Sequence, residues 1–159
     1  MYQIIFIVVF IAIIGICAYS GTRQGFFRSL NSFLRIALPM LLSGIIVLIA
    51  SLISKERIGL ISYIIGLIGT IIFYLVLRNV IKDPDASVRN AGIVDYFLGF
   101  IVGVMRGWVI AGFLVVYIDF FCKLLKMQTN LQNIIDNQSL FIAIKTPIDW
   151  ILFLSFIKL

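Results

Sequence analysis

Four stretches of this chain are too long and too apolar to fold in water. Tyr2–Tyr19 runs 18 residues without a charge, Ile36–Ser54 runs 19 and Ile58–Leu77 runs 20. A fourth, from Phe97 to Phe121, is interrupted only by Arg106 and Asp119. As helix, 18 residues rise about 27 Å, just enough to cross a hydrocarbon layer of roughly 30 Å. Of the 159 residues, 62% are hydrophobic, and a soluble domain of that length needs far more polar surface. The expected architecture is an all-α integral membrane protein with four transmembrane helices over residues 1–125. Residues 126–159 are expected to form an amphipathic, interfacial C-terminal segment.

The first stretch has two features of a secretory signal, an apolar Ile4–Ile16 core and the small residues around Ala18-Tyr19-Ser20. Met1-Tyr2-Gln3 carries no positive charge, however, and more spans follow. Bulky Ile16 also precedes Cys17 where a lipoprotein site needs a small residue. The segment is therefore expected to stay as an uncleaved first helix. In the second stretch, Pro39 falls in the first turn, where a proline costs least.

Connection lengths predict how the spans follow one another. Lys55-Glu56-Arg57 is short enough to force an antiparallel hairpin between spans two and three. From Arg78 to Asp95 the chain carries Asp83-Pro84-Asp85, a turn signal for a loop at the water interface. After Phe121, Leu124, Leu131, Ile134 and Ile135 recur at roughly helical spacing, as on a surface helix. Ser139 is placed to cap a last segment, Leu140–Leu159. Lys145, Pro147 and Asp149 near its middle disfavour a fifth span, and Trp150 suits an interfacial or re-entrant anchor.

The net charge of +6 is scattered beside the apolar runs. Such placement fits anionic lipid head groups and topology control, and no basic tract interleaved with aromatics points to nucleic acid. Arg23, Arg28 and Arg35 in the first connection put a loop from Arg23 to Arg35 in the cytoplasm and the N-terminus outside. Cys17 and Cys122, with no histidine and no CxxC, cannot build a zinc or haem site. They are expected as two buried thiols rather than a disulfide, and no cofactor is expected.

Two constellations stand out. Asp95, Gly99, Gly103 and Arg106 fall at intervals of 4, 4 and 3, along one stripe of a helix, with Gly107 almost on it and Gly112 nearby. Small residues at this spacing make a flat strip against which another helix packs closely. That helix is the first, the second, or a copy of the fourth. Arg106 either fastens this seam or serves an anion, a lipid head group or a polar path, and its depth is open between midplane and interface. The second constellation is Ser20-Gly21-Thr22-Arg23-Gln24-Gly25-Phe26-Phe27-Arg28. Its glycines permit a turn or a close helix crossing, while Arg23 and Arg28 can reach lipid phosphates. The acids near spans, Asp95, Asp119 and Asp149, make no catalytic pair, with Asp119 expected at an interface. Without a Ser/His/Asp set, a Cys/His set or a phosphate loop, catalysis is not expected.

Together the two constellations carry a family resemblance. Gly21-Thr-Arg23-Gln-Gly25-Phe-Phe-Arg28 resembles the G-x-x-x-G-F-x-R element of the bacterial colicin V production protein (CvpA) family. Ile93-Val94-Asp95-Tyr96-Phe97-Leu98-Gly99 through Gly103, Arg106 and Gly107 resembles that family's L-D-R-x-x-G-x-x-x-G-x-x-R/K-G stretch opening the fourth helix. Two places depart from the pattern: Gln3 where an acid is usual, and Tyr96 where an arginine commonly follows the aspartate. The resemblance implies a multi-pass protein of the bacterial inner membrane without catalytic activity or cofactor. It implies an accessory or scaffold role in production or export of a peptide toxin (a bacteriocin) and in envelope homeostasis. Implied site residues are Gly21, Gly25, Arg28, Asp95, Gly99, Gly103, Arg106 and Gly107, with partners among lipids, envelope or secretion proteins, or further copies of the chain. The rival functions are a small transporter or channel subunit with Arg106 on a polar path, and a holin-like or immunity-type membrane protein.

Overall fold

The structure, a computed structural model, describes residues 2–54, 59–81, 92–124 and 139–152. All regular structure among these residues is helical: α1 (Tyr2–Gln24), α2 (Phe26–Ser54), α3 (Gly59–Val80), α4 (Ile93–Leu124) and α5 (Ser139–Ile151). The first four are long and apolar enough to cross a membrane, over Ile7–Gln24, Phe26–Ala50, Ile61–Val80 and Ile93–Cys122. The last has 13 residues, about 20 Å of helix against a hydrocarbon layer of ~30 Å. The Lys55-Glu56-Arg57 hairpin, the Asp83-Pro84-Asp85 turn and the pattern at Leu131, Ile134 and Ile135 lie outside the described residues.

Helices extend well past the uncharged runs, and two expectations change with them. The connection from Arg23 to Arg35 is not a loop, because Gly25 alone separates α1 from α2. Hydrogen bonding almost runs through the break, with Gly25 N–H donating to Gly21 O at 3.1 Å and Ser29 N–H to Gly25 O at 3.1 Å. Gly25 turns the chain at φ 76°, a left-handed conformation that side chains resist. Because α2 starts at Phe26, Pro39 stands in the helix interior rather than its first turn. It lacks the N–H that would reach back one turn, so its site must compensate by packing, and it is fully buried.

Contacts divide the chain into two units, Met1–Ala37 with Leu75–Ala111, and Leu38–Tyr74 with Gly112–Leu159. In the first, α1 and the first part of α4 lie backbone to backbone, and Phe10, Ala18, Val102 and Ala111 are buried. Arg35, on α2, turns its guanidinium to the end of α3. Its Nε donates to Ile81 O at 2.9 Å, and its Nη2 donates to the same oxygen. A helix end leaves carbonyls without partners, and a basic group there satisfies one and complements the helix dipole.

The second unit has the denser apolar core, with Met40, Val47, Val115, Val116, Phe141, Ile148 and Leu152 nearly or wholly excluded from solvent. Tyr63 stacks on Phe120, centroids 4.6 Å apart and planes within 7°. Buried hydroxyls find backbone carbonyls, as apolar surroundings require. Ser43 Oγ donates to Gly66 O at 2.7 Å, and Tyr117 donates its hydroxyl to Tyr63 O at 3.3 Å. Helix α5 buries Phe141, Ile144, Ile148 and Leu152 along one stripe, and leaves Ile142 and Trp150 exposed. Gly112 makes room for it, since a Cβ there would lie 2.9 Å from Ile144 O and collide with Ile148.

Candidate functional site

The residues of both sequence constellations meet in the first unit. Helix α4 presents Gly99, Gly103 and Gly107 to α1, one turn apart on each side. A Cβ on Gly99 would lie 2.5 Å from Gly21 O, one on Gly103 2.5 Å from Cys17 O, and one on Gly107 2.8 Å from Ile14 Cα. Gly21 is equally tight, with its Cβ position 2.8 Å from Gly103 Cα. These obstacles are backbone atoms, which cannot swing aside as a side chain can. Such approach exposes Cα–H groups to facing carbonyls and maximises dispersion where no hydrophobic effect drives helices together. Gly15, by contrast, has nothing within 4 Å of its Cβ position.

Polar groups pin the top of this seam. Phe26 N–H, the first of α2, donates to Asp95 Oδ1 at 2.9 Å. A carboxylate from the first turn of α4 thus does for α2 what an N-cap residue normally does within one helix, and it also meets the positive end of the helix dipole. The Cβ position of Gly25 would collide with Asp95 Oδ2 and lie 3.2 Å from its Cγ, so the missing side chain is what admits the carboxylate. Beside it, Ser29 donates from Oγ to Gly99 O at 3.3 Å, in a buried position. Arg23 and Arg28 are exposed around the same turn, Arg23 with its guanidinium 5.9 Å from the Tyr19 ring centre. Phe27 between them is 58% exposed.

Arg106 is half-buried against α1, where its Nη2 donates to Cys17 O at 3.4 Å. Asp95 and Arg106 share a stripe but not a contact: each goes to backbone on a different helix. Gly112, near the stripe in sequence, serves α5 instead. Asp119, expected at an interface, is 2% exposed and pairs with Lys145 of α5. Sequence reasoning missed this pairing and that of Arg35 with Ile81 O. In both cases the partners lie far apart along the chain, and nothing local to either marks the other. Cys17 and Cys122 are free thiols, half-buried rather than buried as expected, because each stands at the edge of a packed helix face. No group of three or more His, Cys, Asp or Glu comes together among the described residues.

A family model described as Colicin V production protein matches residues 7–141. The chain belongs to the colicin V production protein family. With its four membrane-length helices, this family member is a multi-pass protein of the inner membrane. The match takes in both glycine constellations and Asp119, and stops at the start of α5, before Lys145 and Asp149. No curated protein and no solved structure matches the chain.

Proposed function

We propose that the chain is a non-enzymatic accessory or scaffold protein of the inner membrane, serving toxin (bacteriocin) production or export and envelope homeostasis. Its working part is the α1–α4 seam with the turn at Gly25. One observation carries this reading: the polar groups along the α1–α4 seam reach backbone at separate points. Asp95 holds Phe26 N–H, Ser29 holds Gly99 O and Arg106 reaches Cys17 O. A reaction centre turns such groups toward a common point where a substrate can sit. Here they point to separate places along a fastening. Exposed Arg23 and Arg28, with Phe27 between them, fit the phosphates and upper acyl chains of anionic lipid. Family membership supports the accessory role.

The test is a chromosomal deletion in a bacteriocin-producing host. Secreted toxin activity and resistance to bile-type detergents should both fall, and return with the wild-type gene or with Gly15→Ala. Gly103→Leu should not restore them. A deletion strain that secretes toxin and resists detergent like its parent contradicts the reading.

A further inference from the structure

Arg106 has more hydrogen-bonding capacity than the described residues use. A guanidinium carries five N–H donors and keeps its charge in any protein environment. Among the described residues, Arg106 makes a single hydrogen bond, to Cys17 O at 3.4 Å. That distance is beyond the usual N–H···O range, so the contact is weak. The side chain is only half-buried.

Depth narrows what can meet it. The turn carrying exposed Arg23 and Arg28 cannot rest in hydrocarbon, so it marks a membrane surface, and Asp95 is in contact with that turn. Arg106 follows Asp95 by eleven residues of unbroken helix, which carries it about 16 Å inward at 1.5 Å per residue. Half of a hydrocarbon layer is about 15 Å. The Cα therefore stands near the midplane, and the contact with Cys17 O, eight residues before Gly25, holds the guanidinium about 12 Å from the turn. A charge at that depth is costly, and it is normally met by an opposite charge or by water.

A second copy of the chain has no carboxylate to spare in its described helices. Asp95 is engaged by Phe26 N–H, Asp119 is buried and paired with Lys145, and the Oδ1 of Asp149 is buried within its own chain. We propose that Arg106 receives the carboxylate of an Asp or Glu carried at mid-depth by a membrane-spanning helix of a different protein. The inference rests on the accessory-protein reading and deepens it, since it states the chemistry by which a client or partner is held.

The probe is a leucine-rich spanning peptide with one Glu at its centre, beside a twin with Gln there. Association with the full chain is followed by energy transfer in phosphatidylcholine vesicles. The Glu peptide should bind at least about tenfold more tightly than the Gln peptide, a difference of about 1.4 kcal/mol. That gap should close with Arg106→Gln and persist in part with Arg106→Lys. Changing the peptide leaves the protein intact, so misfolding cannot mimic the result. Equal binding of the two peptides to the wild type overturns the proposal, as does a gap that survives Arg106→Gln. So does loss of selectivity for brominated phosphatidylglycerol in Arg106→Gln without any peptide discrimination, which would make Arg106 a lipid site. None of these outcomes bears on the deletion phenotype, so the two readings fail separately.

Discussion

Asp95 of α4 accepts the N–H of Phe26 at 2.9 Å, across a sequence separation of 69 residues, and lies where the side chain of Gly25 would be. One carboxylate thereby starts α2, fills the break after α1 and fixes the opening turn of α4. Removing it leaves an N–H of α2 without its acceptor, at a cost of about 1–2 kcal/mol. Asp95→Ala should lower the melting temperature in detergent, and Asp95→Asn, which keeps an oxygen, should lower it less. Gly25→Ala should cost more than either, because it adds strain at φ 76° to a collision with the carboxylate. In an Asp95→Ala background the collision is gone, so the added penalty of Gly25→Ala should shrink. An additive double variant would contradict the contact.

The glycine ladder predicts a graded pattern. Gly99→Ala, Gly103→Ala and Gly107→Ala each push a methyl into backbone of α1 or the turn after it and should each destabilise by about 1–3 kcal/mol. Gly15→Ala meets open space and improves helix propensity, so it should be neutral or mildly stabilising. Thermal or denaturant unfolding in one detergent checks the series, and a uniform response would contradict the packing.

Lys145 and Asp119 should behave as a unit. Either neutralised alone leaves the other charge in a largely buried place, which costs on the order of 3 kcal/mol. Lys145→Met with Asp119→Leu removes both charges and should recover much of that loss. Protease cleavage of α5 in the folded protein is the readout: fast for either single variant, slow for the wild type and the double. Fast cleavage of the double variant would show that apolar burial of Phe141, Ile144 and Ile148 does not suffice to hold the helix.

Arg35 predicts a local effect. Arg35→Leu removes two donors from Ile81 O and should loosen the last turn of α3 by about 1–2 kcal/mol. Hydrogen exchange at Val80 and Ile81 should accelerate, while α1 stays protected. A global loss of protection would mean that Arg35 holds more than this end.

Membrane-length helices were legible because apolar run length is a local property, readable without knowing any partner. The stripe of Asp95, Gly99, Gly103 and Gly107 was legible for the same reason, since 3.6 residues per turn is enough to place them on one side. Helix ends were not: α2 reaches back through Arg35 and Arg28 to Phe26, because Asp95 from another helix supplies its cap. Without that start, the uncharged run places Pro39 in a first turn instead of an interior. Asp119 looked interfacial because its partner, Lys145, arrives from a helix 26 residues further on. Pairings across such distances leave no periodic trace in either segment.

Native Cys17 permits the most direct measurement of the α1–α4 contact. A Cβ on Gly107 would lie 3.1 Å from Cys17 Cβ and 2.8 Å from Ile14 Cα. The backbone must yield by a few tenths of an ångström, which moves the pair toward the roughly 3.5–4.5 Å of a disulfide. In membranes from cells carrying Gly107→Cys and Cys122→Ser, mild oxidation should form an intramolecular Cys17 bridge. Met105→Cys, at an exposed position of α4, should form none. No bridge from position 107, or only bridges between chains, would mean that the glycine face of α4 does not rest on α1.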